Sequence, residues 1–161
     1  MTFRCTRGRA LAATWIALAL PACQTAPKPA PPEFLSSPQG ATLKLPFSEA
    51  VRAGGFLILA GQLGNRPGTR ELAPGGIGPE SRQVMENIRS VLGRHGATLD
   101  DVVKCTVFLA DMAEWPAFND VYATYFPSGR FPERSALGAN GLALGARVEV
   151  ECIAYPSGAS R

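Results

Sequence analysis

The chain has 161 residues, 46% of them hydrophobic and 18% charged, which is the length of one globular domain with enough apolar side chains for one core. Its formal net charge of +3 comes from Arg4, Arg7 and Arg9; beyond them thirteen basic residues face thirteen acidic ones. A nucleic-acid binder keeps a basic patch on its folded part, and with no lysine/arginine cluster beyond that terminus, nucleic acid is not an expected partner.

Those three arginines precede an apolar run, Ala10 to Leu20, and then Pro21-Ala22-Cys23. A basic n-region, a short h-region and a small residue before the cut make a secretory signal peptide over 1–22. The run is short for a membrane-spanning helix. Leu20-Pro21-Ala22-Cys23 is similar to the bacterial lipoprotein box, with Pro21 departing from the usual small residue. That resemblance implies lipidation at Cys23 and an exported, membrane-anchored protein of the periplasm or cell envelope, since several acyl chains give stable anchoring. A soluble secreted protein with a cysteine near its cut is the alternative. Gln24 to Gln39, rich in proline, alanine and serine, reads as an extended spacer. The expected division is therefore lipidated cysteine and linker over 23–41, a folded domain over 42–156 and a tail over 157–161.

In the domain, the apolar segments Leu43–Arg52 and Phe56–Gln62 flank Ala53-Gly54-Gly55, a turn suited to a tight hairpin. Phe56–Ala60 is continuously apolar, as in a strand covered on both faces. A surface loop, Gly64–Gly78, follows. Pro79 opens a helix whose apolar stripe is Val84, Met85, Ile88, Val91 and Leu92. Gly96 ends it, with Arg94 and His95 in the last turn; His95, the chain's one histidine, reads as a helix-end residue rather than a catalyst.

Val102–Leu109 is a strand with Val103, Cys105, Val107 and Leu109 on one face. Asp111 caps a second helix, with Glu114 completing a capping box. Trp115, Phe118, Tyr122, Tyr125 and Phe126 form that helix's inner face, and Pro127-Ser128-Gly129 stops it. Arg134 lies in a tight turn just after a proline. In the last strand, Arg147–Ala154, Val148, Val150, Cys152 and Ala154 point one way, and Arg147, Glu149, Glu151 and Ile153 the other. Cys105 and Cys152 read by default as buried free thiols, though an exported protein can pair them.

Two helices against one mixed sheet make an α+β fold. Helices on one face leave the other to be covered, and Ile153 with the apolar strand Phe56–Ala60 suggests a partner subunit as the cover.

The segments PFSEAVRAGGFLILAGQLG, RQVMENIRSVLGRHGATLDDVVKCTVFLADMAEWPAFNDVYATYF, FPERSA and VEVECIA, spanning Leu45 to Ala154, resemble the successive motifs of the RidA (YjgF) family in order and spacing. The resemblance implies a chorismate-mutase-like α+β fold, a homotrimer with clefts between subunits, no cofactor or metal, and hydrolysis of reactive 2-imino and 2-enamino acids to 2-oxo acids and ammonia. It matches Arg134 to the arginine that binds the substrate carboxylate and Glu149 to the acid that orients the attacking water. Asn119 and Gly61 match residues at the cleft. Phe47 and Ala60 stand where the family commonly has tyrosine and serine, and Gly138-Ala139-Asn140-Gly141 replaces a usual Leu-Pro. The chemistry suits the residues: a planar guanidinium gives a carboxylate two parallel charge-assisted bonds, and a carboxylate can take a proton from water. A non-catalytic small-carboxylate-binding trimer of the same fold is the alternative function, and a structural arginine–glutamate pair is the plainer reading of Arg134 and Glu149.

Overall fold

The computed structural model describes residue 28 and residues 30–37 and 45–156; the expected signal peptide, Cys23 and the C-terminal tail lie outside them. The strands are β1 (Glu33–Leu35), β2 (Ala50–Ala53), β3 (Phe56–Leu59), β4 (Gln62–Leu63), β5 (Val102–Leu109), β6 (Glu133–Gly138) and β7 (Val148–Ala154), with helices α1 (Ile77–Arg94) and α2 (Trp115–Tyr122) between β4 and β6. They form a seven-stranded sheet in the order β1-β2-β3-β7-β5-β6, with β4 also on β7. All pairs are antiparallel except β5–β6, whose parallel arrangement requires a crossover, which α2 supplies.

Both helices pack on one face. Val84, Met85, Ile88, Val91 and Leu92 of α1 and Phe118 and Tyr122 of α2 are buried against Leu57, Leu59, Cys105, Val107, Leu109, Val148, Val150 and Cys152. The expected stripe of α1 is thus the one it buries. The helix begins two residues earlier than proline suggested, at Ile77 rather than Pro79. Its end follows the glycine rule: Gly96 takes φ +74°, and the amides of Ala97 and Gly96 donate to Leu92 O (2.9 Å) and Gly93 O (3.3 Å), a Schellman closure. His95 is the cap residue, and its Nε2 lies 3.1 Å from Glu49 Oε2. Among the described residues no helix is long and apolar enough to cross a membrane.

The structure corrects several local expectations. The spacer is not featureless: Glu33–Leu35 pairs with β2, and Glu33 reaches Arg52 at 3.5 Å. The first domain strand shrinks to Ala50–Ala53, while Gly54 and Gly55, at φ +54° and +87°, make the expected hairpin turn. The next segment breaks at Ala60-Gly61 into β3 and β4. Phe56–Ala60 is covered on one face only in a single chain: Leu57 and Leu59 are buried while Phe56 and Ile58 are each 42% exposed. Val103 is exposed rather than sharing the buried face of β5, because the pairing with β7 shifts register between Val102 and Lys104. Asp111 caps a short 3-10 turn by accepting from Ala113 N at 2.9 Å, and Glu114 binds Arg147 instead of closing a capping box.

Cys105 and Cys152 are joined as a disulfide, replacing the expectation of free thiols. Opposite register across β5 and β7 brings the two sulfurs together. A second tie is absent from the sequence pattern. Glu80 of α1 is buried, and its Oε1 accepts from Arg147 N at 2.7 Å, which satisfies a carboxylate that burial would otherwise penalise. A Cβ on Gly64 would lie 2.3 Å from Glu80 Cγ, so only glycine lets the chain pass there. Together these contacts fix where β7 begins, and therefore where Glu149 stands.

Candidate active site

Arg134 sits in β6, not in a turn: it is the strand's second residue and the register partner of Cys105. That pairing puts its side chain on the helix-covered face. There Nη2 donates to Asn119 Oδ1 at 2.9 Å. The guanidinium carbon lies 5.1 Å from the centre of the Trp115 ring and 4.7 Å from that of Tyr122. Trp115, Asn119 and Tyr122 recur at i, i+4 and i+7, so one face of α2 forms the whole seat. Each ring face attracts a cation by roughly 0.5–2 kcal/mol. The Tyr122 hydroxyl is buried without a hydrogen-bond partner, and its pKa is pushed up to about 12, chiefly by burial; Arg134 pulls it down and Glu133 raises it. The phenol therefore stays neutral. Arg134 is left with N–H donors beyond the one Asn119 takes, in the fork that suits a carboxylate.

Glu149 belongs to a different neighbourhood. It pairs with Phe108 on β5 and Leu63 on β4, and its side chain projects from the face away from the helices. It is half-buried, and its pKa is raised first by loss of water and then by the like charge of Glu151. A Cβ on Gly61 would lie 2.0 Å from Glu149 Oε1, so the carboxylate occupies the space that glycine leaves. Ala60 is held beside it by donation of its amide to Glu49 O at 3.0 Å. Phe47, Ala60 and Gly61 line a groove of about 430 Å³, whose wall also includes Leu63 and Leu144.

The expected site residues thus divide into two groups within one chain. Phe47, Ala60, Gly61 and Glu149 gather at the groove; Arg134 and Asn119 gather over α2. The sheet separates them. Asn119 here bonds Arg134 itself, which makes it a positioning residue for the guanidinium.

Trp115 and Tyr122 read in the sequence only as core. Tyr122 is buried, but both rings also form the arginine's platform, and nothing in helical spacing distinguishes those uses. Leu144 was also missed. It holds φ 59° and ψ 10°, the left-handed region, which costs a non-glycine residue about 1–2 kcal/mol. The neighbouring glycines Gly141 and Gly145 were the available signal of unusual backbone there.

Comparison with known proteins places these features in context. Residues 40–156 match the family described as Endoribonuclease L-PSP. A RutC family protein of Pyrococcus horikoshii is 43% identical over 110 residues, covering 68% of this chain and 86% of that protein. The 2-iminobutanoate/2-iminopropanoate deaminase of Capra hircus is 43% identical over 109 residues, covering 68% and 79%. Among solved structures, RidA from an Antarctic Psychrobacter superposes with a TM-score of 0.65 at 35% identity, covering 69% of this chain and 89% of that one.

Proposed function

The chain belongs to the Endoribonuclease L-PSP family, that of the RidA and YjgF proteins, and from this membership we infer that it is a hydrolytic deaminase of reactive 2-imino and 2-enamino acids. The observation that carries the reading is the pair of half-sites: a guanidinium with unused donors, and a partly desolvated carboxylate beside an open groove.

The carbon of an imine is already electrophilic, so the protein need only hold the substrate and activate water. Arg134 binds the substrate carboxylate through two parallel N–H bonds. Glu149 takes a proton from water as the water oxygen bonds to the imine carbon and the C=N π pair moves to nitrogen. The proton then passes to that nitrogen, giving a carbinolamine; its hydroxyl proton follows to the nitrogen by way of Glu149, the C–N bond breaks, and ammonia leaves as the water oxygen becomes the keto oxygen. One imine and one water thus give one 2-oxo acid and one ammonia. An enamine first takes a proton at carbon to enter the same route. Positioned proton transfer of this kind is worth ~10²–10⁴-fold in rate.

Because the sheet divides the two half-sites, the working site takes Arg134 from one copy and Glu149 from another. The sheet face carrying Glu149 also presents Ile58 and Leu137, 42% and 45% exposed, and a second copy covering this apolar surface supports a homotrimer. The exported, lipid-anchored location expected from Cys23 is part of the same proposal.

The family's description speaks of an endoribonuclease, but the charge does not favour nucleic acid. Arg52, Arg66, Arg89, Arg94, Lys104 and Arg147 are each paired with a carboxylate of this chain. Phe47 and Ala60 bring no hydroxyl to the groove, which supports the second reading, binding of a small carboxylate without turnover. A coupled assay separates the two: an amino-acid oxidase generates 2-iminobutanoate, and its decay is followed with and without the protein. Decay accelerated by wild type and not by Arg134→Ala is expected; equal decay would sink the deaminase reading.

A further inference from the structure

Three large apolar side chains stand clear of the core around one groove. Leu45 is 42% exposed, Phe47 59% and Leu144 43%, and all line the cavity of about 430 Å³ that is also lined by Gly61, the glycine packed against Glu149. Single exposed apolar residues are ordinary, but apolar surface gathered at a concave site indicates binding. Polar side chains at the groove are engaged within the chain: Glu49 holds Arg94 and His95, Gln62 Nε2 donates to Ala60 O, and Thr69 Oγ1 donates to Arg66 O. Among the charged side chains at the groove, Arg70 is exposed and without a partner among the described residues.

Leu144 is the described non-glycine residue with positive φ. A leucine held there while half out of the core gains little for folding, and such outliers gather at ligand sites. The groove also exceeds what the named substrates of the relatives need. The side chains of 2-iminopropanoate and 2-iminobutanoate are a methyl and an ethyl group, too small to touch Leu45, Phe47 and Leu144 together in a groove that measures about 430 Å³ in one chain, before a second copy closes over it.

We propose that this groove receives the substrate's side chain and selects large apolar ones, such as isobutyl or benzyl, over methyl and ethyl, with Leu144 as the specificity-determining residue. This rests on the deaminase reading for its chemistry but concerns binding, so it is tested without turnover. The full chain is titrated calorimetrically with the product 2-oxo acids: pyruvate, 4-methyl-2-oxopentanoate, phenylpyruvate and 2-oxoglutarate. The expected result is that 4-methyl-2-oxopentanoate binds about tenfold or more tightly than pyruvate. Leu144→Gly, which suits the left-handed backbone and so retains the fold, is expected to bring that ratio close to one. Equal affinities, no binding of any acid, or a ratio unchanged in Leu144→Gly would overturn the proposal. So would tightest binding of 2-oxoglutarate, which would assign the groove to a second carboxylate facing Arg70. If no imine is hydrolysed while the binding ratio holds, the deaminase reading falls and this one stands.

Discussion

Arg134 and Glu149 stand on opposite faces of one sheet. Arg134 shares a face with its register partner Cys105, and Glu149 shares the other with its own partner, Phe108. Strand alternation cannot bring them together in one chain, since residues 105 and 108 have opposite parity along β5.

Complementation between inactive variants follows from this. Arg134→Ala and Glu149→Gln are each expected to lower kcat/KM for 2-iminobutanoate by about 10² or more. If each site draws one residue from each of two neighbours, as proposed, refolding them together in equal amounts should restore about a quarter of the sites. Activity that stays at the level of the separate variants, or a monomer in light scattering at micromolar concentration, would contradict a site between copies.

Gly61 carries a sharper test. A methyl group there would meet Glu149 Oε1 at 2.0 Å, so Gly61→Ala must displace the carboxylate. A drop of ~10²-fold in kcat is expected, on the scale of a lost general base, with a melting curve close to wild type because the carboxylate can swing into the open groove. Wild-type turnover in Gly61→Ala would show that the carboxylate's position is immaterial.

The pH profile should report Glu149. Its pKa is raised by burial and by Glu151, and a base works only when deprotonated, so kcat/KM rises with pH through that raised value. Glu151→Gln removes the like charge and is expected to move the acid limb to lower pH. The stability effect has the opposite sense. Folding raises this carboxyl's pKa, so its contribution to stability is present at low pH and is lost as pH rises through the raised value. Glu149→Gln should therefore melt no lower than wild type at neutral pH while losing turnover; an acid limb indifferent to Glu151→Gln would reject the assignment.

The disulfide closes a loop between residues 47 apart, which in the chain-entropy account is worth about 4 kcal/mol. Equilibration with reductant should lower the melting temperature by ~10–20 °C. Both cysteines are buried, so reduction should be slow under native conditions and fast in denaturant. Rapid thiol titration of the native protein would count against the bond.

For the N-terminus, radiolabelled palmitate is expected to enter wild type and not Cys23→Ala when each is expressed in a bacterium that processes lipoproteins. Label in neither protein would remove the lipid anchor and leave the soluble secreted alternative.

Much of the fold was legible because it depends on local periodicity. The stripe from Val84 to Leu92 and the alternation from Val148 to Ala154 each report one buried face, and the structure buries those faces. Gly54-Gly55 and Gly96 declared their turns because few other residues adopt positive φ readily. The motif resemblance named Arg134, Glu149, Asn119, Gly61, Phe47 and Ala60, but motifs carry no coordinates.

The sequence alone therefore determined the buried stripe of α1, the alternation of the last strand, the family resemblance and the candidate chemistry, since these depend on residue type and on spacing along the chain. Tertiary structure decided what depends on pairing between distant segments. It joined Cys105 to Cys152, set Arg134 on an aromatic seat built by α2, and buried Glu80 to fix the start of β7. It also placed the arginine and the glutamate on opposite faces, because sheet order and register, which no single strand encodes, decide which side chains share a surface.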